Sequence, residues 1–251
     1  MRRFFVDPSG VKEGEAVLSE AESRHALSVL RLKIGDAVEL FDGAGCVYDG
    51  VVIDAENRGR LRVSVGRKRE TVVSGIEVTL AVSVIRPERM DWLVQKATEL
   101  GAGVIQPIRT ERSVVRLSAE RWKGKAEKWR KIALESSKQC GRSTLPAIEE
   151  VCDFDLFLSR LGQYDLAVIP TLAVPGKSFA AVLNSGMKKA AALIGPEGDF
   201  SHEEVRRAVS SGAQPVTLGS LVWRSETAAI YALSGFHFFS QQVSAKGERD
   251  A

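Results

Sequence analysis

The sequence predicts a two-part chain, a small β-rich unit followed by an α/β domain built on a parallel sheet. Three observations lead there. Short apolar stretches broken by turn residues fill the first seventy positions, a polar stretch ending in Ser-Gly follows, and from residue 78 strand and helix patterns alternate almost to the end. Closely spaced strands with glycine-containing hairpins suggest a small barrel or sandwich. Regular alternation suggests a parallel sheet covered by helices. With 44% apolar side chains, ten Phe and four Trp in 251 residues, the chain has ample material for packed cores.

In the first unit, strands are expected at RRFFV (2–6), AVEL (37–40), around Gly43 and Gly45 of FDGAGCVYDG (41–50), at VVIDAE (51–56) and at RLRVSVG (60–66). Between the first two, SEAESRHALSVLRL repeats Ala26, Val29 and Leu30 at helical spacing, so a short helix interrupts the strands. The polar stretch RKRETVVSG (67–75) places the boundary, giving domains 1–72 and 73–243 with 244–251 as a frayed tail. Beyond it, VTLAVSVI (78–85) reads as a buried strand. RMDWLVQKATELG (89–101) reads as a helix with Met90, Leu93, Ala97 and Leu100 on one stripe and Gly101 as its stop. The strand VIQPI precedes a basic helix from about Glu120 whose apolar face is Trp122, Ala126, Trp129 and Ala133. Those tryptophans sit at core spacing and are read as packing residues. Further strands are expected at 165–170, 189–195 and 215–219.

Charge is concentrated rather than spread. The first seventy residues hold twelve basic and twelve acidic side chains, whereas residues 107–142 hold eleven basic and four acidic ones. A local excess of this kind either gathers a polyanion or is a solvated helical face. Cys46, Cys140 and Cys152 form no C-x-x-C pair, and His25, His202 and His237 are scattered. A disulfide framework and a metal site are therefore not expected, and a reducing cytoplasm is. No apolar run approaches the roughly 18 residues of a membrane span.

Two segments share one grammar, a strand ending in Gly, a tight loop, then a helix. In ALIGPEGDFSHEEV the strand ends at Gly195, Ser201 and Glu204 form a capping box, and Val205, Ala208 and Val209 are the expected buried stripe. In VTLGSLVWRSETAAI the strand ends at Gly219 and a helix begins near Ser225 or Glu226. Both loops would stand at the carboxyl edge of a parallel sheet, where such folds bind ligands. Neither is G-x-G-x-x-G, and no G-x-x-x-x-G-K-[ST] occurs, so a ligand held by its phosphates is not expected.

Seven segments in order resemble the bacterial 16S ribosomal RNA uridine-N3 methyltransferases, a branch of the SPOUT class. They are RRFF, RHALSVLRLKIGD (24–36), RMDWLVQKATELG, TERSVV (110–115), KQCGR (138–142), LIGPEGDFS (193–201) and LGSLVWRSETAAIYAL (218–233). The resemblance implies a PUA-like β-barrel that holds RNA, then a SPOUT-type parallel sheet with a C-terminal trefoil knot that binds S-adenosylmethionine and dimerises at the knot. By the same resemblance the cofactor residues are Thr171, Leu193, Ile194, Gly195, Pro196, Glu197, Gly198, Leu218, Gly219, Ser220, Leu221, Val222, Arg224 and Thr227. Four positions depart from the usual pattern: Asp199 replaces Gly, Ser220 replaces Pro, Trp223 replaces an aliphatic residue and Ser225 replaces Thr.

Uridine N3 carries a proton, and its removal leaves negative charge on the flanking carbonyls. Arg224 is the first candidate to stabilise that charge; the plain alternative is that it pairs with Glu226 or caps a helix. Glu226, with Glu197 and Asp199, is a candidate proton acceptor, although water and simple alignment would also serve. Arg2, Arg3, Arg24, His25, Arg31, Arg109, Arg112, Arg116 and Arg142 are candidates for contact with ribosomal RNA, while His25 also fits a satisfied domain-edge histidine. The target base must be unpaired or flipped out, because N3 lies on its pairing edge. Two other readings stay open, another SPOUT reaction such as ribose 2′-O methylation, and an inactive RNA-binding factor of the small ribosomal subunit.

Overall fold

The computed structural model describes residues 2–55, 60–71, 75–113 and 118–247, with backbone alone at 119 and 244–247. The chain divides into two compact units, residues 1–73 with 134–145, and 74–133 with 146–251. The boundary expected at 72/73 falls on residues outside those described. A second segment, 134–145, groups with the first unit.

The first unit is a six-stranded mixed sheet. Its strands are β1 (Arg2–Phe5), β2 (Val11–Lys12), β3 (Glu15–Val17), β4 (Ala37–Phe41), β5 (Cys46–Asp54) and β6 (Arg62–Glu70), in the order β1-β4-β5-β6-β3-β2. Among the strands of the described residues in this sheet, only β1 and β4 pair in parallel. Between β3 and β4, Ser19 accepts the N–H of Glu22 and starts α1 (Glu20–Arg24), which continues as one π-helical turn over His25–Val29. Phe4, Leu18, Ala26, Leu40, Val52 and Val63 form the core.

Two strand readings are corrected. Residues 46–54 are a single strand, and β6 runs on through Arg67–Glu70, which polarity suggested were linker. The physical reason is lateral pairing: Lys68–Glu70 pair with Cys46–Tyr48 of β5, and Arg69 bridges Asp49 of β5 at 2.8 Å and Glu39 of β4 at 3.0 Å, so an exposed, charged stretch still makes a ladder. Residues 134–145 join through Leu145 N–H to Gly43 O at 2.9 Å and through the ion pair of Lys138 with Glu22 at 2.8 Å.

The second unit is an α/β layer structure. Its elements are β7 (Glu77–Ser83), α2 (Pro87–Glu99), β8 (Val104–Arg109), α3 (Ala119–Cys140), β9 (Ala147–Ile148), β10 (Cys152–Asp153), α4 (Phe154–Leu158), β11 (Leu166–Pro170), β12 (Lys177–Ser178), α5 (Phe179–Val182), β13 (Lys189–Ile194), α6 (His202–Ser210), β14 (Gln214–Thr217) and α7 (Ser225–Gly247). The last seven residues of α3 belong to the first unit. Every strand pair in this sheet is parallel, in the order β10-β8-β7-β13-β11-β14-β12 with β9 beside β8.

Alternate residues of each strand serve opposite layers. Ala190, Ala192 and Ile194 join a cluster with α2, α3, α5 and α7, whereas Ala191 and Leu193 join one with α4 and α6. The expected faces of α2 and α3 are buried, with Trp129 also donating from Nε1 to Asp91 at 3.1 Å. The Ser201–Glu204 capping box forms. Val209, expected in the buried stripe of α6, is instead 41% exposed because the helix packs on Val205 and Ala208. Helix α7 extends to Gly247, into the stretch read as tail, and residues 248–251 lie outside those described.

Candidate active site

The carboxyl ends of β11, β13 and β14 deliver three chain segments to one cavity of about 250 Å³. Pro170–Leu172, Ile194–Asp199 and Val216–Trp223, the last interrupted at Ser220, line it together with Ser225 and Ala228 of α7. The loop after β13 turns sharply at Gly195, where a Cβ would stand 3.1 Å from both the backbone nitrogen and the ring of Phe200. The loop after β14 turns at Gly219, whose φ of +127° suits glycine alone.

Loop positions are fixed by side chains reaching in from both sides. Asp199 adopts φ +58° and spends its carboxylate on three donors, Thr171 Oγ1 and Leu172 N–H at 2.9 Å and its neighbour Phe200 N–H at 2.8 Å. It thereby ties the β13 loop to the wall after β11. A short polar side chain tolerates the left-handed conformation because it hydrogen-bonds locally. From the other side, Arg112 Nη1 donates to the carbonyls of Gly198 at 2.6 Å and Phe200 at 3.4 Å. Glu204 serves twice, capping α6 and accepting the N–H of Glu111 at 2.7 Å. The hydroxyls of Ser83, Thr110 and Ser113 join one another at 2.7 to 3.0 Å and brace the same segment.

The cavity's charge selects its ligand. Among the described residues, Glu197 and Asp199 are its charged lining residues, and no Lys, Arg or His lines it. Apolar Leu172, Ile194, Leu218, Leu221 and Val222 supply much of the rest. Such walls repel phosphate, suit a flat heterocycle held through backbone groups, and favour a ligand with net positive charge. The hydroxyl of Ser225, a residue 5% exposed, has no hydrogen-bond partner among the described residues and offers one further contact.

Of the expected cofactor residues, Thr171, Ile194, Gly195, Pro196, Glu197, Gly198, Leu218, Gly219, Leu221 and Val222 line this cavity. Leu193 does not, since strand alternation turns it into the core beneath α6. Ser220, Arg224 and Thr227 are exposed and outside the lining. Pairing of Arg224 with Glu226 is not found. Glu226 faces Arg89 instead, whose Nη1 is 3.8 Å from Glu226 Oε1 and equally 3.8 Å from Glu197 Oε1. Among the described residues the Arg224 side chain has no partner. Sequence reasoning missed Arg89 because its neighbours announced a packing stripe; its place on the first turn of a helix led by a strand end was the available clue.

The arginines proposed for RNA contact separate by environment. Arg24 and Arg31 are exposed, the former paired with Glu20. Arg2 is paired with Asp36 and Arg109 with Asp153, all on the surface. Arg3 is different. It lies over the Phe41 ring at 4.5 Å beside Glu39, and burial lowers its pKa, opposed by that carboxylate. Arg142 is likewise pulled down by burial and donates to Thr144 at 3.0 Å. Arg112 holds the cavity loop, as described. These three guanidinia are committed to internal partners, whereas His25 sits half-buried, edge-on to Phe4. Arg116 lies outside the described residues. On α3, Arg121, Lys123 and Lys131 are exposed.

This parallel sheet and its cavity define a class: residues 73–237 match the family described as an RNA methyltransferase domain, and residues 18–66 the RNA methyltransferase PUA domain. The relatives narrow it. The ribosomal RNA small subunit methyltransferase E of Bacillus subtilis is 30% identical over 95% of this chain and 96% of its own length, and that of Synechocystis is 30% identical over 92% and 76%. The crystal structure of the Neisseria gonorrhoeae enzyme of that name, bound to S-adenosyl methionine, superposes with a TM-score of 0.85 at 27% identity, covering 95% of this chain and 97% of that one. The chain belongs to the ribosomal RNA small subunit methyltransferase E family.

Proposed function

We propose that this chain transfers a methyl group from S-adenosylmethionine to N3 of a specific uridine in the 16S RNA of the small ribosomal subunit. The observation that carries this reading is the cavity at the carboxyl edge, rimmed by Glu197 and Asp199 and, among the described residues, lined by no cationic side chain. S-adenosylmethionine carries a sulfonium and an ammonium against one carboxylate, so its net charge fits an acid-rimmed cavity where a nucleotide's does not.

Residues 194–198 and 218–222 would hold the cofactor mainly through backbone groups, with Thr171 and Leu172 fixed as a third wall by Asp199. The bound cofactor supplies an electrophilic methyl group. The chain supplies the rest: loops that orient, Glu226 as acceptor of the N3 proton, and Arg224, with no competing partner among the described residues, as the cation facing charge on the carbonyls. Leu193 acts from the core, by backing the loop rather than touching ligand.

The first unit is read as a PUA-like barrel that holds RNA through its exposed cations, Arg24 and Arg31 among them. In the second unit β14 lies between β11 and β12, which both precede it, and such an order supports a threaded C-terminal knot. Exposed Tyr231 and Phe238 on α7, 43% and 62% accessible, support a homodimer formed at that end. A cytoplasmic location is consistent with three free cysteines, and among the described residues no helix is long and apolar enough to cross a membrane.

The test is incubation of the purified protein and labelled S-adenosylmethionine with small subunits lacking this modification, followed by nucleoside analysis. Label in N3-methyluridine is the expected result. Label in a 2′-O-methyl nucleoside would move the chain to another SPOUT reaction, and RNA binding without label would make it an inactive factor.

A further inference from the structure

Three charged side chains meet beside the cavity, and their spacing is unusual. Arg89 Nη1 stands 3.8 Å from Oε1 of Glu197 and 3.8 Å from Oε1 of Glu226. Both separations exceed hydrogen-bonding distance, so the guanidinium offsets two negative charges while leaving its own donors available. Glu226 shows the consequence. Its side chain is 12% exposed, yet Oε2 is buried with no hydrogen-bond partner among the described residues. On the preceding residue, Ser225, 5% exposed and lining the cavity, the hydroxyl is also unmatched. Buried polar atoms are almost always matched, and two orphans on consecutive residues at the start of α7 mark a place prepared for a ligand's polar edge.

We propose that Arg89, Ser225 and Glu226 read the pairing edge of the target base, with Arg89 as a specificity-determining residue. This rests on the reading of the chain as a uridine-N3 methyltransferase. Uracil offers acceptor, donor, acceptor along that edge: O4, N3–H and O2. Its complement is a carboxylate between two donors, and Glu226 Oε2 with the Arg89 guanidinium and the Ser225 hydroxyl supplies those three groups. Cytosine fails the match because its N3 is an acceptor facing the carboxylate. Sites that hydrogen-bond a substrate group discriminate strongly against an analogue without it, since their own buried groups are then left unmatched.

The same contact moves the proton. The N3–H bond breaks, the proton passes to Glu226 Oε2, and its electron pair stays on N3. That pair bonds the methyl carbon as the carbon–sulfur bond breaks, its electrons remaining on sulfur, and Glu226 then releases the proton to water. Arg89 shares with Arg224 the task of facing the charge that collects on the carbonyls in between.

The test uses the full chain, S-adenosylmethionine and unmodified small subunits carrying either uridine or cytidine at the methylated position. Glu226→Gln should lower kcat by about 10²–10⁴ with cofactor Kd by calorimetry unchanged, and its binding preference for uridine-bearing over cytidine-bearing subunits should collapse, because an amide both donates and accepts. Arg89→Met should raise KM for subunits and lower kcat, and Arg89→Lys should recover part of both. Wild-type kcat and uridine preference in both Glu226→Gln and Arg89→Met would overturn the assignment alone. So would loss of cofactor binding in parallel with activity, which marks a structural role. A wild-type protein that leaves N3 unmethylated overturns the function itself and this assignment with it.

Discussion

Arg112 donates from Nη1 to the carbonyl oxygen of Gly198 at 2.6 Å, so the segment after β8 holds the cavity loop by its backbone. Hydrogen bonds to charged groups contribute about 1.5–3 kcal/mol, reduced here because Arg112 is exposed. Arg112→Ala should weaken S-adenosylmethionine binding about tenfold, and Arg112→Lys should restore little, since a flexible ammonium lacks the planar guanidinium that fixes the direction of the Nη1 donors toward both carbonyls. Calorimetric titration measures both. Wild-type affinity in Arg112→Ala would mean the loop holds its shape without the clamp.

Asp199 combines a costly backbone with useful side-chain bonds, and substitutions separate the two. Asp199→Gly loses the contacts to Thr171 and Leu172 but relaxes at φ +58°, whereas Asp199→Ala loses them and keeps the strain. Left-handed conformation costs a non-glycine residue roughly 1 kcal/mol. Urea denaturation should therefore rank Ala below Gly by about that amount, and equal stability would remove the strain argument.

Gly195→Ala places a methyl against Phe200 at 3.1 Å, with both the backbone nitrogen and the ring in the way. The ring packs in the core with Phe154 and cannot swing aside, so the loop must shift. Cofactor affinity should fall more than tenfold while the unfolding midpoint moves only a few degrees. A variant that unfolds readily but binds normally when folded would contradict this.

Lys138 and Glu22 are an ion pair with side chains 10% and 7% exposed. Lys138→Met strands a buried carboxylate and should destabilise by about 3–5 kcal/mol, while adding Glu22→Gln should recover part of the loss. Burial lowers the Lys138 pKa, but the hydrogen bonds it donates to Glu135 and Glu22 outweigh it and the net shift is upward. A raised folded-state pKa stabilises fully below the unfolded value of 10.5 and is lost as pH climbs through the folded one. Thermal melts should show the wild-type advantage flat through neutral pH and shrinking only on the far alkaline side.

Exposed Arg121, Lys123 and Lys131 on α3 have no acidic partner among the described residues. If this helix meets phosphate, each change to Ser should weaken subunit binding and reduce the slope of log K against log salt by about one. Equal slopes in wild type and triple variant would assign the excess charge to solvation.

Legibility in the sequence followed physical scale. Elements whose pattern is local were readable: the capping box of Ser201 and Glu204, the buried faces of α2 and α3, and the glycine turns that place both cavity loops. Contacts spanning long sequence distance were not. Nothing near Arg112 announces Gly198, 86 positions away, and nothing near Arg89 announces two carboxylates beyond residue 195. The polar end of β6 hid for the same reason, since its ladder partner is Cys46–Tyr48 of β5 and its charges are matched by Glu39 and Asp49. Seven segments resembling one family carried the cofactor and reaction where composition and spacing could reach only a ligand edge.

Residues 134–145 impose an order on how this chain matures. On a ribosome the first 73 residues emerge together, but Glu22 then has no Lys138 and Gly43 O has no Leu145 to accept from. Both partners are synthesised only after β7, α2 and β8 have appeared. The first unit to be started is therefore closed only after part of the second has been made, and a nascent chain halted before residue 145 carries an N-terminal sheet whose charge and hydrogen bonds await their complement.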